Sequence, residues 1–174
     1  RAAKVFNEGN AMDVTYNNCT FSCQSTNKAA VEVDVTKNTS ALKLVKVTIN
    51  NPILEGTFGQ AEHWGNEYFN LEGGNGCNGI VTIDGITYAK VATQNAFNEA
   101  VNAASGDVTV ILTPENYTLP TTNLAGRSII LEGSDAITTV IDMSAGDTPQ
   151  YGYKSVTLKN VTVKDKNACL ESKE

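Results

Sequence analysis

A short repeat restricts the fold of this chain more than any other sequence feature. Four copies begin at Val14, Val47, Val81 and Val156. Each reads valine, threonine, an apolar residue, any residue, and then asparagine or glycine, and a second short apolar segment follows. A partial copy occupies residues 129–133. Such self-similarity is typical of chains built from stacked supersecondary units.

The chemistry of the repeat predicts two very short strands joined by a sharp corner. Side chains alternate across a strand, so the valine and the next apolar residue point to the same side. Asparagine and glycine tolerate the positive φ of a tight corner. One unit cannot bury its apolar side alone and must stack on other copies. We therefore expect Asn18 and Asn160 to be corner residues, where side-chain amides of neighbouring units form a hydrogen-bonded ladder.

Composition excludes two classes of function. The 174 residues can bury a sizeable core, and they carry 13 basic and 19 acidic side chains for a net charge of −6. Nucleic-acid binding needs a positive footprint, so no nucleic-acid partner is expected. No apolar run is long enough for a membrane span, so no membrane insertion is expected.

The second half of the chain adds a helix signal to the strands. Residues 93–104 carry Phe97, Ala100, Val101 and Ala104 at helical spacing, and Gly106 stands where a C-terminal cap belongs. Apolar strand segments follow, and one of them ends in the corner Leu131-Glu132-Gly133. We predict one short α-helix near residues 93–104 and short strands on both sides of it.

The repeat and the helix together resemble the right-handed parallel β-helix of the pectate-lyase-like superfamily. The resemblance implies an all-β solenoid in which the amphipathic helix caps one end. It covers most of the chain as a pattern and carries little about chemistry, because this superfamily includes lyases, hydrolases, phage tailspikes and inert adhesins.

The position of the helix bears on domain organisation. A capping helix should begin a solenoid, whereas this one lies in the middle of the sequence. We therefore expect residues 1–90 to be the C-terminal coils of one β-helix unit, and residues 91–174 the capping helix and first coils of a second. Such a chain would be part of a longer tandem array. The alternative is one continuous solenoid with the helix as a side excursion.

Candidate catalytic residues are few. Glu132, Asp135 and Asp142 could share a face in successive coils. Paired-carboxylate hydrolysis needs two groups roughly 5 to 9.5 Å apart, and neighbouring strands lie about 4.8 Å apart. The competing interpretation is that these acids belong to turns and loops, and that Arg127 lies at a solvated corner. We predict no metal site and no cofactor.

A second candidate site lies in the segment 60–79. It holds His63, Trp64, Tyr68 and Phe69 among asparagine and glutamate residues. Aromatic rings that cover C–H faces, beside amides and carboxylates that bind hydroxyl groups, suit carbohydrate recognition. The competing interpretation is a loop whose aromatic rings cover the open end of the solenoid.

The sequence favours a non-catalytic module of a bacterial cell-surface or secreted protein. Such a module would serve as an adhesin, a stalk or a carbohydrate-binding scaffold outside the cell, with a glycan or a host or cell-surface ligand as its partner. The first alternative is a fragment of a polysaccharide lyase or glycoside hydrolase acting along a β-helix groove. The second is a phage tailspike or fibre segment.

Overall fold

The computed structural model describes residues 1–37, 43–59, 66–73, 79–119, 126–144 and 153–164. In these ranges the chain is mostly β with one α-helix, as the sequence predicts. It divides into two compact units, Arg1–Gly85 and Ile86–Glu174.

The strands of both units are short, as expected for repeats bent at frequent corners. Those of the first unit are β1 (Ala3–Phe6), β2 (Met12–Asn17), β3 (Thr20–Gln24), β4 (Val31–Val35), β5 (Val45–Asn50), β6 (Ile53–Thr57), β7 (Phe69–Gly73) and β8 (Gly79–Ile83). Those of the second are β9 (Ile86–Val91), β10 (Val108–Leu112), β11 (Asn116–Tyr117), β12 (Ser128–Gly133), β13 (Val140–Asp142), β14 (Ser155–Lys159) and β15 (Thr162–Lys164), and the helix α1 is Gln94–Ala103.

The described residues of the first unit form three separate parallel ladders. Their orders are β1-β4-β7, β2-β5-β8 and β3-β6. The repeat copies align in register, because Val47 pairs with Val14 on one side and with Val81 on the other. Val47 and Val81 are buried, whereas Val14 on the outermost strand β2 is half-buried. The predicted inward alternation of the repeat is thus confirmed.

The corners carry the predicted conformation. Asn18, Asn51 and Asn160 all have φ near +50°, and Gly85 has φ +85°. Asn51 Nδ2 donates to Asn18 Oδ1 at 3.3 Å. In the second unit Asn160 Nδ2 donates to the Gly133 carbonyl at 2.7 Å. The expected amide ladder is therefore present between Asn18 and Asn51, and Asn160 makes the corresponding bond to a backbone oxygen.

The positive φ of the corner predicts how Asn51 tolerates substitution. Alanine is strained in the left-handed region, whereas glycine is not, and both lose the side-chain amide. We expect Asn51→Ala to lower the free energy of unfolding by about 1 kcal/mol more than Asn51→Gly. Urea denaturation followed by circular dichroism measures both. Equal losses for the two variants would contradict the left-handed corner.

In the parts of the second unit that the structure describes, the strands form two parallel ladders. Their orders are β9-β10-β12-β14 and β11-β13-β15. Its core includes the fully buried rings of Phe97 and Tyr117, which meet edge to face with centroids 5.9 Å apart. The Tyr117 hydroxyl lies 3.0 Å from the Thr113 carbonyl and 3.3 Å from that of Val91. The ring contact with Phe97 thus joins α1 to the strands.

The unit boundary differs from the expected one near residue 90. Strand β9, which the sequence analysis assigned to the first unit, pairs along its length with β10, from Thr87 with Val108 to Val91 with Leu112. Backbone pairing between β9 and β10 therefore joins Ile86–Val91 to the second unit.

Within the described residues, no helix is long and apolar enough to cross a membrane.

Helix α1 starts as predicted but ends differently. Thr93 is the N-cap, and its hydroxyl accepts from the Ala96 N–H at 3.2 Å. At the other end Gly106 does not adopt positive φ, and Ala104 is the C-cap in an extended conformation. The Arg127 guanidinium instead donates to the carbonyl oxygens of Ala104 at 2.6 Å and Val101 at 3.3 Å. Arg127 is therefore a half-buried cap, and its assignment to a solvated corner was wrong.

The cap makes Arg127 important for the stability of the second unit. A cation that bonds the last carbonyls of a helix satisfies them and interacts favourably with the helix dipole. We expect Arg127→Met to lower the free energy of unfolding by about 1–2 kcal/mol. Lys154→Met, at an exposed lysine of the same unit, is the control and should change it little. Equal effects of the two variants in urea denaturation would exclude this role for the guanidinium.

Candidate functional site

The densest group of charges in the described residues lies on the sheet β1-β4-β7. Val5, Val33 and Leu71 point into the core, so the alternate residues of these strands point outward. The outward side holds six charged residues, which we call the ion-pair cluster: Arg1, Lys4, Lys28, Glu32, Asp34 and Glu72.

Glu32 is the centre of the ion-pair cluster. Its side chain is only 5% exposed and faces three cations: Arg1 at 2.7 Å, Lys4 at 2.9 Å and Lys28 at 3.6 Å. Burial acts to raise the pKa of Glu32, but hydrogen bonds from Lys4 and Arg1 outweigh it and hold the pKa below its usual value. Glu32 is thus a carboxylate kept in its charged form.

Asp34 shares Lys4 with Glu32. The Lys4 ammonium lies 2.8 Å from Asp34 Oδ2, and the Thr36 hydroxyl donates to Asp34 Oδ1 at 2.7 Å. Burial acts to raise the pKa of Asp34, and the bonds from Lys4 and Thr36 lower it further than burial raises it. The hydrogen bond with Asp34, and to a smaller extent that with Glu32, raises the pKa of Lys4. One ammonium therefore bridges two nearly buried carboxylates.

Glu72 completes a group of three acids. One carboxylate oxygen from each of Glu32, Asp34 and Glu72 lies within 4.8 Å of the others. Oxygen ligands at such spacing suit a hard cation, but the ammonium of Lys4 already bridges the first two. Glu72 Oε1 accepts from Asn70 Nδ2 at 3.1 Å. In this arrangement lysine and arginine supply the compensating positive charge.

The ion-pair cluster was not predicted from the sequence. Alternation in Val31–Val35 indicates that Glu32 and Asp34 point outward, which was the only signal available. Their main partner is Lys4, which register pairs with Glu32 across the ladder. A contact between residues about thirty positions apart depends on the register of the strands, which cannot be read from a single sequence.

The predicted catalytic carboxylates lie in different parts of the second unit. Glu132 is half-buried on β12, where register places it beside Lys159 of β14. Asp135 lies in the exposed turn after β12, and its Oδ1 accepts from the N–H groups of Ile137 at 2.8 Å and Thr138 at 3.0 Å. These bonds lower the pKa of Asp135, and the bond from the Thr138 N–H has the largest effect. Its role in this turn is structural.

Asp142 lies on β13, in a different sheet from Glu132. Its Oδ1 accepts from both the hydroxyl and the N–H of Ser144, the latter at 2.9 Å. Those bonds, with Lys164 on the neighbouring strand as a weaker influence, lower the pKa of Asp142. Asp142 thus stabilises the turn that follows β13.

The predicted carbohydrate-binding residues fall into three groups. His63 and Trp64 lie outside the described residues. Tyr68 is 37% exposed just before β7, where its N–H donates to Asn66 Oδ1 at 3.0 Å. Phe69 is 0% exposed and packs in the core. Neighbouring residues of a strand point to opposite sides, so Tyr68, and not Phe69, presents its ring to solvent.

Comparison with known proteins adds no assignment. No protein-family model, curated protein or solved structure matches this chain.

The ion-pair cluster predicts a distinctive pH dependence for Lys4→Met. Because Glu32 and Asp34 have lowered pKa values, their contribution to stability is present above their unfolded values, about 4, and is lost as pH falls through the folded values. The raised pKa of Lys4 gives a contribution that is lost as pH rises beyond about 10.5. We expect Lys4→Met to destabilise the protein most near neutral pH, and progressively less as pH falls below about 4 or rises beyond about 10.5.

Urea denaturation of Lys4→Met and wild type across pH 3–11 measures this profile. Lys46→Met, at an exposed lysine on β5, is the matched control and should give a small, flat difference. A pH-independent loss in Lys4→Met would show that packing of its methylene stem, and not its charge, stabilises the sheet.

Proposed function

We propose that this chain is a right-handed parallel β-helix and serves as a non-catalytic extracellular module of a bacterial surface or secreted protein. In that role it is a stalk or adhesin scaffold that contacts carbohydrate. The observation that carries the proposal is the parallel register of the repeats: Val47 lies between Val14 and Val81 in the first unit, and Ile129 lies beside Val156 in the second.

The order of the strands supports the β-helix. In the first unit β1, β2 and β3 lie in three different sheets, and the next three strands return to those sheets in the same order. Each return places a strand parallel to its predecessor one repeat earlier. Parallel crossovers are almost always right-handed, which gives the proposed hand.

The state of the acidic residues supports a non-catalytic role. A glycosidase needs a carboxylic acid whose pKa is raised so that it can protonate the leaving group. The pKa values of Glu32, Asp34, Asp135 and Asp142 are instead lowered, and the oxygens of these residues accept bonds from lysine, arginine, turn hydroxyls or turn N–H groups. Carboxylates held in this way stabilise the fold and are poor general acids.

The exposed ring of Tyr68 supports a role in carbohydrate binding. It lies beside Asn66 and follows the segment that holds Trp64. A ring with one apolar face and a polar hydroxyl suits the C–H face and hydroxyl groups of a sugar. We propose Tyr68 and Trp64 as the principal contacts.

Incubation with a panel of acidic and neutral polysaccharides tests the proposal. We expect binding by at least one polysaccharide without release of unsaturated products or reducing ends. Tyr68→Ala and Trp64→Ala should each weaken binding about tenfold, the cost of about 1.4 kcal/mol. Phe6→Ala, which removes a ring with similar exposure on β1, is the matched control and should bind as wild type does.

Release of either product would overturn the non-catalytic assignment and favour the lyase or hydrolase alternative. Equal losses in Phe6→Ala and Tyr68→Ala would overturn the assignment of the binding residues.

A further inference from the structure

Among the described residues, two of the strands that carry the repeat, β2 and β14, lie at the ends of their ladders. Strand β2 pairs with β5 only, and β14 pairs with β12 only. The strands after their corners follow the same rule, because β3 pairs with β6 only and β15 with β13 only. Unpaired edges of this kind can accept a further strand.

The two open ends carry the same sequence pattern. Val14-Thr15-Tyr16 leads to the corner Asn18, and Val156-Thr157-Leu158 leads to the corner Asn160. The following strands start at equal distances from the corners, at Thr20 and Thr162. If β2 were laid on β14 with valine beside valine, the next pair of strands would also be in register. Valine beside valine is the register that β2, β5 and β8 already use.

The backbone groups at the β2 edge are available in alternation. The N–H groups of Met12 and Asn18 donate towards β5, to the carbonyls of Leu44 and Asn50. The alternate residues between them, Asp13, Thr15 and Asn17, therefore direct their backbone groups to the open side.

The β14 edge offers the complementary set. The Ser134 N–H donates to the Leu112 carbonyl, so even-numbered residues of β12 face β10. In a parallel ladder, only one of two residues matched in register directs its backbone groups to the other strand. Ser128 faces β10, so its partner Ser155 faces β12. Val156 and Leu158 consequently direct their backbone groups to the open side. If Val156 lies beside Val14, the backbone groups of Val156 and Leu158 face those of Thr15 and Asn17, and hydrogen bonds can form between the two strands.

The corner amides match in direction. Asn50 donates to Asn17 at 2.8 Å and Asn51 to Asn18, so the later repeat donates to the earlier one. Asn160 follows this rule, because its Nδ2 donates back to the Gly133 carbonyl. At one end the amide nitrogen of Asn18 thus remains for donation, and at the other the amide oxygen of Asn160 remains for acceptance.

The apolar residues of the end strands are incompletely covered. Val14 and Tyr16 on β2 are half-buried, whereas Val47 and Ile49 beside them on β5 are fully buried. Leu158 on β14 is likewise half-buried. A further strand in register would cover these side chains.

We propose that β14–β15 of one chain and β2–β3 of a second copy associate as a parallel ladder, with Val156 beside Val14 and Asn160 beside Asn18. The inference rests on the parallel β-helix of the proposed function and adds a partner for its ends. The contact is head to tail, since it joins different surfaces of the two copies. Such contacts add chain after chain unless the rotation closes a ring.

Sedimentation velocity over a wide concentration range tests the proposal, with circular dichroism to check the fold. For wild type we expect species beyond the dimer that grow with concentration. Thr15→Pro removes an N–H that faces the open edge and adds a ring there, a position at which an edge strand tolerates proline. This variant should remain monomeric, whereas the matched control Thr15→Val retains the N–H and should associate as wild type does.

Asn18→Gly is a second test that keeps the positive-φ corner and removes only the amide. We expect its association to be about 3- to 10-fold weaker than that of wild type. Wild type that is monomeric throughout, or Thr15→Pro or Asn18→Gly that associates as wild type does, would overturn the proposal. A species that stops at the dimer would also overturn it, because it indicates that two copies meet through the same end.

These outcomes are separate from those of the proposed function. A monomeric wild type that binds a polysaccharide without product release would remove the end-to-end contact and leave the proposed function intact. Product release by a chain that still associates would do the reverse.

Discussion

The structure depends on the need of each short repeat to bury its apolar side against the next one in register. A strand of two to six residues has too little apolar surface to fold alone, and a shift by one residue would turn every inward side chain outward. The valine–threonine repeats fix this register, and hydrogen bonds between corner amides reinforce it. Because the inward positions are fixed, the outward positions are fixed too, and the ion-pair cluster follows from this.

The ion-pair cluster shows how the same register handles charge. Glu32 and Asp34 alternate with buried valines, so their backbones are held against the core and their side chains lose most of their water. Burial of an unpaired carboxylate lowers the stability of a protein. Removing one partner of a buried ion pair therefore destabilises the fold by more than the intact pair stabilises it. Lys4 lies opposite Glu32 in the ladder and reaches both acids. The ion pairs of this cluster thus hold neighbouring strands together.

Local patterns in the sequence predict a large part of this fold. The repeat predicts the short strands and the left-handed asparagines, and helical spacing predicts α1 to within one residue at each end. Those features depend on residues that are close along the chain. The Arg127 cap, the partners of Glu32 and the pairing of β9 depend on contacts between distant residues, which the sequence leaves undetermined.

The candidate sites divide along the same line. Asp135 and Asp142 bond to residues two or three positions later, and the prediction of turn acids anticipated such local roles. The opposite orientations of Tyr68 and Phe69 follow from strand alternation, but only once β7 is known to begin at Phe69. Residue type alone therefore identified groups of candidates, and the position of each strand decided which side chains reach solvent.

The Arg127 cap also has a consequence for synthesis of the chain. Helix α1 ends at Ala103, whereas the guanidinium that satisfies its last carbonyls comes more than twenty residues later. A nascent chain that has emerged only as far as β10 therefore carries an unsealed helix terminus. Until Arg127 has left the exit tunnel these carbonyls bond to water, and the cap adds about 1–2 kcal/mol only after the start of β12 has been translated.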